Sequence, residues 1–155
     1  MSVFTKYVIR FVAVGMASFH IYTAYFGTFY PYTQRSLPVM LALILTFLTK
    51  RTRKDTPDDA PVPFYDWVLV ALTIPVIGYV TFNSDYLANR WPMTSTFPVT
   101  DLELLFGTIA ALLILEATRR LLGWLLVIVA AVALIYTYWG EHLPFLSLKH
   151  RVYTF

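Results

Sequence analysis

The chain of 155 residues contains no cysteine. That excludes disulfides and thiolate metal sites. Charge is scarce as well. Asp, Glu, Lys and Arg make up 14% of the residues, against about 25% in soluble domains. The small positive balance, +3, comes without a basic face interleaved with aromatics, so nucleic acid is not an expected partner. No nucleophile–base pair, Walker loop, HExxH or EF-hand pattern is present, which points away from an enzyme. No internal repeat is visible, and a self-sufficient carrier builds its site between paired halves. The first apolar stretch lacks a small-residue cleavage site and reads as a retained span, not a signal peptide.

What fills the chain instead is hydrophobic surface: 58% of residues and a mean hydropathy of +0.63. This composition predicts an all-α integral membrane protein, a bundle of four to five transmembrane helices with a cytoplasmic N-terminus. The first apolar block covers about residues 7–29 and ends in an aromatic belt, Tyr22, Tyr25, Phe26, Phe29, Tyr30 and Tyr32. Pro31 reads as the breaker of a short turn over 30–36. The second block, about 35–50, is short unless Arg35 and Lys50 snorkel to opposite interfaces. A polar loop over 50–63 begins with four positive charges and is placed in the cytoplasm. The third block, 64–82, contains Pro75, which membrane helices tolerate. The loop over 83–100 is placed in the periplasm.

The last block, from Asp101 to Gly140, would be about 58 Å long as one helix, nearly twice a bilayer core. It is therefore divided into spans 101–118 and 121–139, with "EATRR" at a membrane face between them. Residues 102–115 have no polar stripe, which disfavours an interfacial helix. Charge counting fixes the first three spans. With five spans the cytoplasm holds Lys6, Arg10, Lys50, Arg51, Arg53, Lys54, Arg119 and Arg120. The outside then holds Arg35, Arg90, Lys149 and Arg151. Four spans exchange the last two members of each set, so the count stays the same and both arrangements remain open.

Glu116 stands three and four residues before Arg119 and Arg120, so its carboxylate pairs with either guanidinium on a helix. Two readings compete. One is an ion pathway or substrate site. The favoured one is a helix-end cluster at the cytoplasmic face that sets topology and docks a partner. Gly123 fits a tight turn or close helix contact. Asp66 is an N-cap or first-turn acid of the third span. Arg35 is an interface anchor or a contact to another subunit. His20 raises the alternative of a haem- or quinone-binding membrane anchor of a redox complex. A bis-histidine haem would need a second histidine at similar depth, and His142 and His150 are both in the C-terminal tail.

Three stretches occur in a characteristic order: "YTAYFGTFYPYTQRSLPVMLALILTFL" (22–48), "VPFYDWVLVAL" (62–72) and "DLELLFGTIAALLILEATRRLLGWLLVIVAAVALIYTYWGEHLP" (101–144). Their most specific elements are Gln34–Arg35, Tyr65–Asp66–Trp67, and Leu115 to Arg120 followed by Gly123–Trp124. In order and spacing they resemble the small membrane subunit of TRAP transporters, in the TAXI branch. The resemblance implies a multi-pass protein of the bacterial or archaeal cytoplasmic membrane, serving a tripartite secondary importer of organic anions such as carboxylates. In that system a periplasmic substrate-binding protein captures the substrate. A large membrane subunit carries the substrate and coupling-ion sites, and the ion is usually sodium. The small subunit braces the static scaffold. No substrate, metal or cofactor ligand carries over to this chain. Arg35, Asp66, Glu116, Arg119, Arg120, Gly123 and Trp124 become scaffold and interface candidates. In fused relatives an extra helix links the two subunits, and the span 121–139 is its candidate equivalent. The small subunit of tripartite tricarboxylate transporters is similar in size, but the Gly-Pro-Gly-type motif expected after its first span is missing from "FGTFYPYTQR".

Overall fold

A computed structural model describes residues 2–51, 61–89 and 100–139. Every element among them is a helix: α1 Val3–Phe26, α2 Pro31–Thr49, α3 Phe64–Phe82, α4 Ser84–Asn89, α5 Asp101–Leu122 and α6 Trp124–Trp139. The described residues are all-α, as composition and the lengths of the apolar blocks predict. Much of the two polar loops, residues 52–60 and 90–99, lies outside the described residues, as do His142, Lys149, His150 and Arg151.

Local chemistry sets the helix ends. Ser2 caps α1 by accepting the Thr5 N–H at 3.1 Å. Pro31 does not break the chain; it is the first residue of α2. Its missing N–H would have had no intrahelical partner there, and its fixed φ suits a helix start. The correction lengthens α2 to 19 residues, about 28 Å, so the second block is no longer short. Gln34 secures the entry turn, its side-chain oxygen accepting the Phe29 N–H at 3.4 Å. Asn83 closes α3 by donating its side-chain N–H to the Tyr79 carbonyl at 2.9 Å. The loop expected from residue 83 onward instead begins with the short helix α4. At the start of α5 the Glu103 carboxylate reaches back to the Thr100 N–H at 2.8 Å, half of a capping box.

Contacts at the helix ends give the direction of each helix. The start of α2 meets the end of α3 through a Ser36–Thr81 hydroxyl bond of 2.7 Å and a Thr33 hydroxyl donating to the Thr81 carbonyl at 3.2 Å. At that same end, Tyr79 of α3 donates to Glu103 of α5 at 3.4 Å. At the opposite end the α1 and α3 starts touch, with Phe4 stacked on Trp67. There the end of α2 meets the end of α5. So α1 and α3 run one way, and α2 and α5 the other. The core lies between α2, α3 and α5, where Leu43, Ile44, Phe47, Leu48, Val70, Val76, Ile77, Leu113 and Ala117 are buried. α1 packs on α2, and α6 packs on no described helix except α5.

Polar side chains share the interior with that apolar core, and large apolar side chains crowd the surface. Thr5, Thr23, Ser36, Thr46, Asp66, Thr73, Thr81 and Ser84 are buried, while Phe11, Ile21, Phe26, Ile74, Phe82, Leu112, Leu122, Leu125 and Val132 are exposed. The threonine hydroxyls do not wait for water. Thr46, Thr49, Thr73, Thr81, Thr108 and Thr118 each donate to the carbonyl one helical turn back, at 2.6–3.0 Å. Two helices, α1 and α3, are long and apolar enough to cross a membrane, and α6 carries a shorter apolar run from Trp124 to Tyr136.

Candidate functional site

The site is built where three helix termini converge: the end of α2, the start of α3 and the end of α5. On α5 the predicted local pairing is present. Arg119 grips Glu116 with both arms of its fork, Nε to Oε2 and Nη2 to Oε1, each at 2.7 Å. Arg120 Nε donates to the same Oε1 at 2.9 Å. One carboxylate therefore accepts three charge-assisted bonds, the strong class of hydrogen bond. Basic residues in the last turn also suit the helix macrodipole.

Arg120 then leaves its own helix. Its Nη1 donates to the carbonyl of Lys50, at the end of α2, at 3.1 Å. The same nitrogen lies 2.7 Å from Asp66 Oδ1, in the first turn of α3. The guanidinium also covers the ring of Phe47 on α2, 5.1 Å from its centroid, a cation–π contact. The second Asp66 oxygen faces Arg51 Nη1 at 3.8 Å. Side-chain exposure is 0% for Asp66, 1% for Arg120 and 5% for Arg51. The Asp66 contacts lack hydrogen-bond alignment, so the short Arg120 distance marks an ion pair whose strength is Coulombic and heightened by burial. Three guanidiniums face two carboxylates, which leaves one net positive charge.

Asp66 is thus a first-turn acid, not an N-cap; Pro63 holds the cap position. Its dipole role was legible in the sequence, but its burial against Arg120 was not. Arg51 was counted only as a loop charge. Its place two residues beyond the end of an apolar helix was the one available hint that it folds back on the bundle.

Where the sequence separates two spans at 119–120, α5 continues through both arginines to Leu122. The Glu116 pairs favour helix across that stretch. The break falls on Gly123, with φ +86° and ψ −173°, a combination open essentially to glycine alone. Its N–H closes the helix on the Arg119 carbonyl at 3.0 Å. Trp124 follows, exposed, with the Arg119 guanidinium 5.3 Å from its ring centroid. Arg119 therefore bridges the break, held by Glu116 on one side and stacked on Trp124 on the other.

Arg35 is not part of this cluster. It is exposed near the start of α2, at the opposite end of the bundle. His20 is exposed on α1 with Nδ1 2.8 Å from the Met16 carbonyl. Among the described residues no group of three His, Cys, Asp or Glu is placed to hold a metal.

No family model matches the chain, and no curated protein or solved structure matches it.

Proposed function

We propose that the chain is a multi-pass subunit of a bacterial or archaeal cytoplasmic membrane, the small scaffold component of a TRAP-type importer of organic anions. On this reading it braces a large transport subunit and helps to dock a periplasmic substrate-binding protein. The coupling ion, sodium in this class, and the substrate are held by the large subunit. One observation carries the reading. Two of the three segments that bear the resemblance, Tyr65–Asp66–Trp67 and Leu115–Trp124, meet in a buried ionic knot that fastens three helix ends. A fixed cluster of paired charges suits a brace. A transport site has to release what it binds.

The membrane part of the reading is supported by the alternating helix directions, the exposed apolar surface and the apolar lengths of α1 and α3. The excess positive charge of the knot favours that end as cytoplasmic. Exposed apolar side chains on α1 and α6 leave surface for lipid and for a larger membrane partner.

The test is purification of the tagged chain from its own cells in mild detergent. A large multi-span protein should co-elute in stoichiometric amount. The reconstituted pair should take up an organic anion only when the soluble binding protein is added. A chain that purifies alone and transports alone would overturn the reading, as would haem bands in its visible spectrum.

A further inference from the structure

At the end of the bundle opposite the ionic knot, a groove of about 200 Å³ runs between α2 and α3. Tyr32, Arg35, Ser36 and Val39 form one wall, and Ile77 and Val80 the other. The four α2 residues follow the spacing of a single helical stripe, i, i+3, i+4, i+7. Their chemistry is graded along it. Tyr32 and Arg35 stand close to the helix start, and Val39 lies about 6 Å deeper at 1.5 Å per residue. Ser36 spends its hydroxyl on Thr81 at 2.7 Å, so the groove below Arg35 offers apolar surface. Arg35 itself is exposed and pairs with no described residue. None of the described acids pairs with it: Asp66 and Glu116 belong to the knot, Glu103 binds the Thr100 N–H and Tyr79, and Asp85 of α4 and Asp101 of α5, at this same end, make no ion pair with Arg35.

A cation with no partner among the described residues, standing over an apolar groove, is complementary to an anionic amphiphile. A soluble anion would leave the groove unused, and a neutral lipid would leave the guanidinium unused. Arginine's planar fork suits phosphate oxygens, and tyrosine favours the headgroup level. We infer that the groove seats one anionic phospholipid, its phosphate on Arg35 beside the Tyr32 hydroxyl and an acyl chain along Val39, Ile77 and Val80. This rests on the membrane reading of the chain and is independent of the proposed transport partner.

Native mass spectrometry of the detergent-purified chain tests it, with phosphatidylglycerol and phosphatidylcholine of identical acyl chains titrated in. The wild-type chain should retain one phosphatidylglycerol about tenfold more tightly than phosphatidylcholine. Arg35→Gln, a change at an exposed side chain, should abolish that preference, while Lys6→Gln at the other end of the bundle should keep it. Val39→Trp, which fills the groove, should weaken both lipids. Equal retention of the two lipids by the wild type overturns the proposal and points to an acidic segment of a protein partner. Undiminished preference in Arg35→Gln overturns it too, as does glycerol phosphate binding as tightly as the whole lipid. A chain that associates with vesicles of neither composition fails the membrane reading itself, and the lipid seat with it.

Discussion

The two ends of the bundle hold the same three helices together by opposite means. At one end α2, α3 and α5 are joined by full charges, with Asp66, Arg120 and Arg51 buried and Glu116 and Arg119 half-buried beside them. At the other end the ties run through hydroxyls: the Ser36–Thr81 hydroxyl bond, Thr33 on the Thr81 carbonyl, and a long bond from the Tyr79 hydroxyl to the Glu103 carboxylate. Burying charge is costly, and a buried ion pair adds little net stability over a well-packed apolar substitute. Its consequence lies elsewhere. Removing one member strands the others, so the arrangement tolerates few alternatives. Hydroxyl ties are more forgiving, because each threonine can fall back on its own helix, as Thr81 does on the Ile77 carbonyl. The charged end fixes which helix ends meet, and the hydroxyl end is free to adjust.

Graded substitutions break this contrast if it is wrong. The largest effect is expected for Asp66→Ala, which leaves Arg120 and Arg51 buried without their carboxylate. It should cost about 3–5 kcal/mol, read as loss of folded protein in a denaturant titration in micelles. Glu116→Ala should cost about 2 kcal/mol. It releases Arg119, but Arg120 keeps Asp66 and the Lys50 carbonyl. On the scaffold reading it weakens co-purification with the large subunit without changing the sodium dependence of transport, once uptake is normalised for assembly. Altered sodium dependence at normal assembly would instead move Glu116 into an ion site. Gly123→Ala places a side chain at φ +86° and should cost about 1–2 kcal/mol. Distances between spin labels on α5 and α6 should shift as the break relaxes. Ser36→Ala, at the hydroxyl end, should cost only about 0.6 kcal/mol, near the limit of the same titration. A Ser36→Ala loss as large as that of Asp66→Ala would erase the distinction between the ends.

What the sequence could reveal divides along similar lines. Composition and the lengths of the apolar blocks exposed the helices. The i+3 and i+4 offsets of Arg119 and Arg120 from Glu116 gave their local pairing, because helix geometry alone decides it. Pro31 misled, since proline ends one helix and begins another with equal ease and only the backbone shows which. The length of the last block required a break, but the charges drew attention to 119–120 while glycine's unique backbone freedom put it at 123. The Asp66–Arg120 pair spans 54 positions of sequence and depends on α3 and α5 running antiparallel. No local pattern encodes that. Arg51 was hidden for the same reason, as one of four consecutive-looking loop charges of which this one turns inward.

The central claim is that Asp66 and Arg120 act as one unit that fastens α3 to α5. A double-mutant cycle with Asp66→Ala, Arg120→Ala and the combined variant, unfolded in micelles, measures it directly. If the pair is a unit, the double variant is less destabilised than the sum of the singles by about 2 kcal/mol or more, because neither charge is then left buried alone. Losses that add to within about 0.5 kcal/mol would contradict the account, since independent residues behave that way.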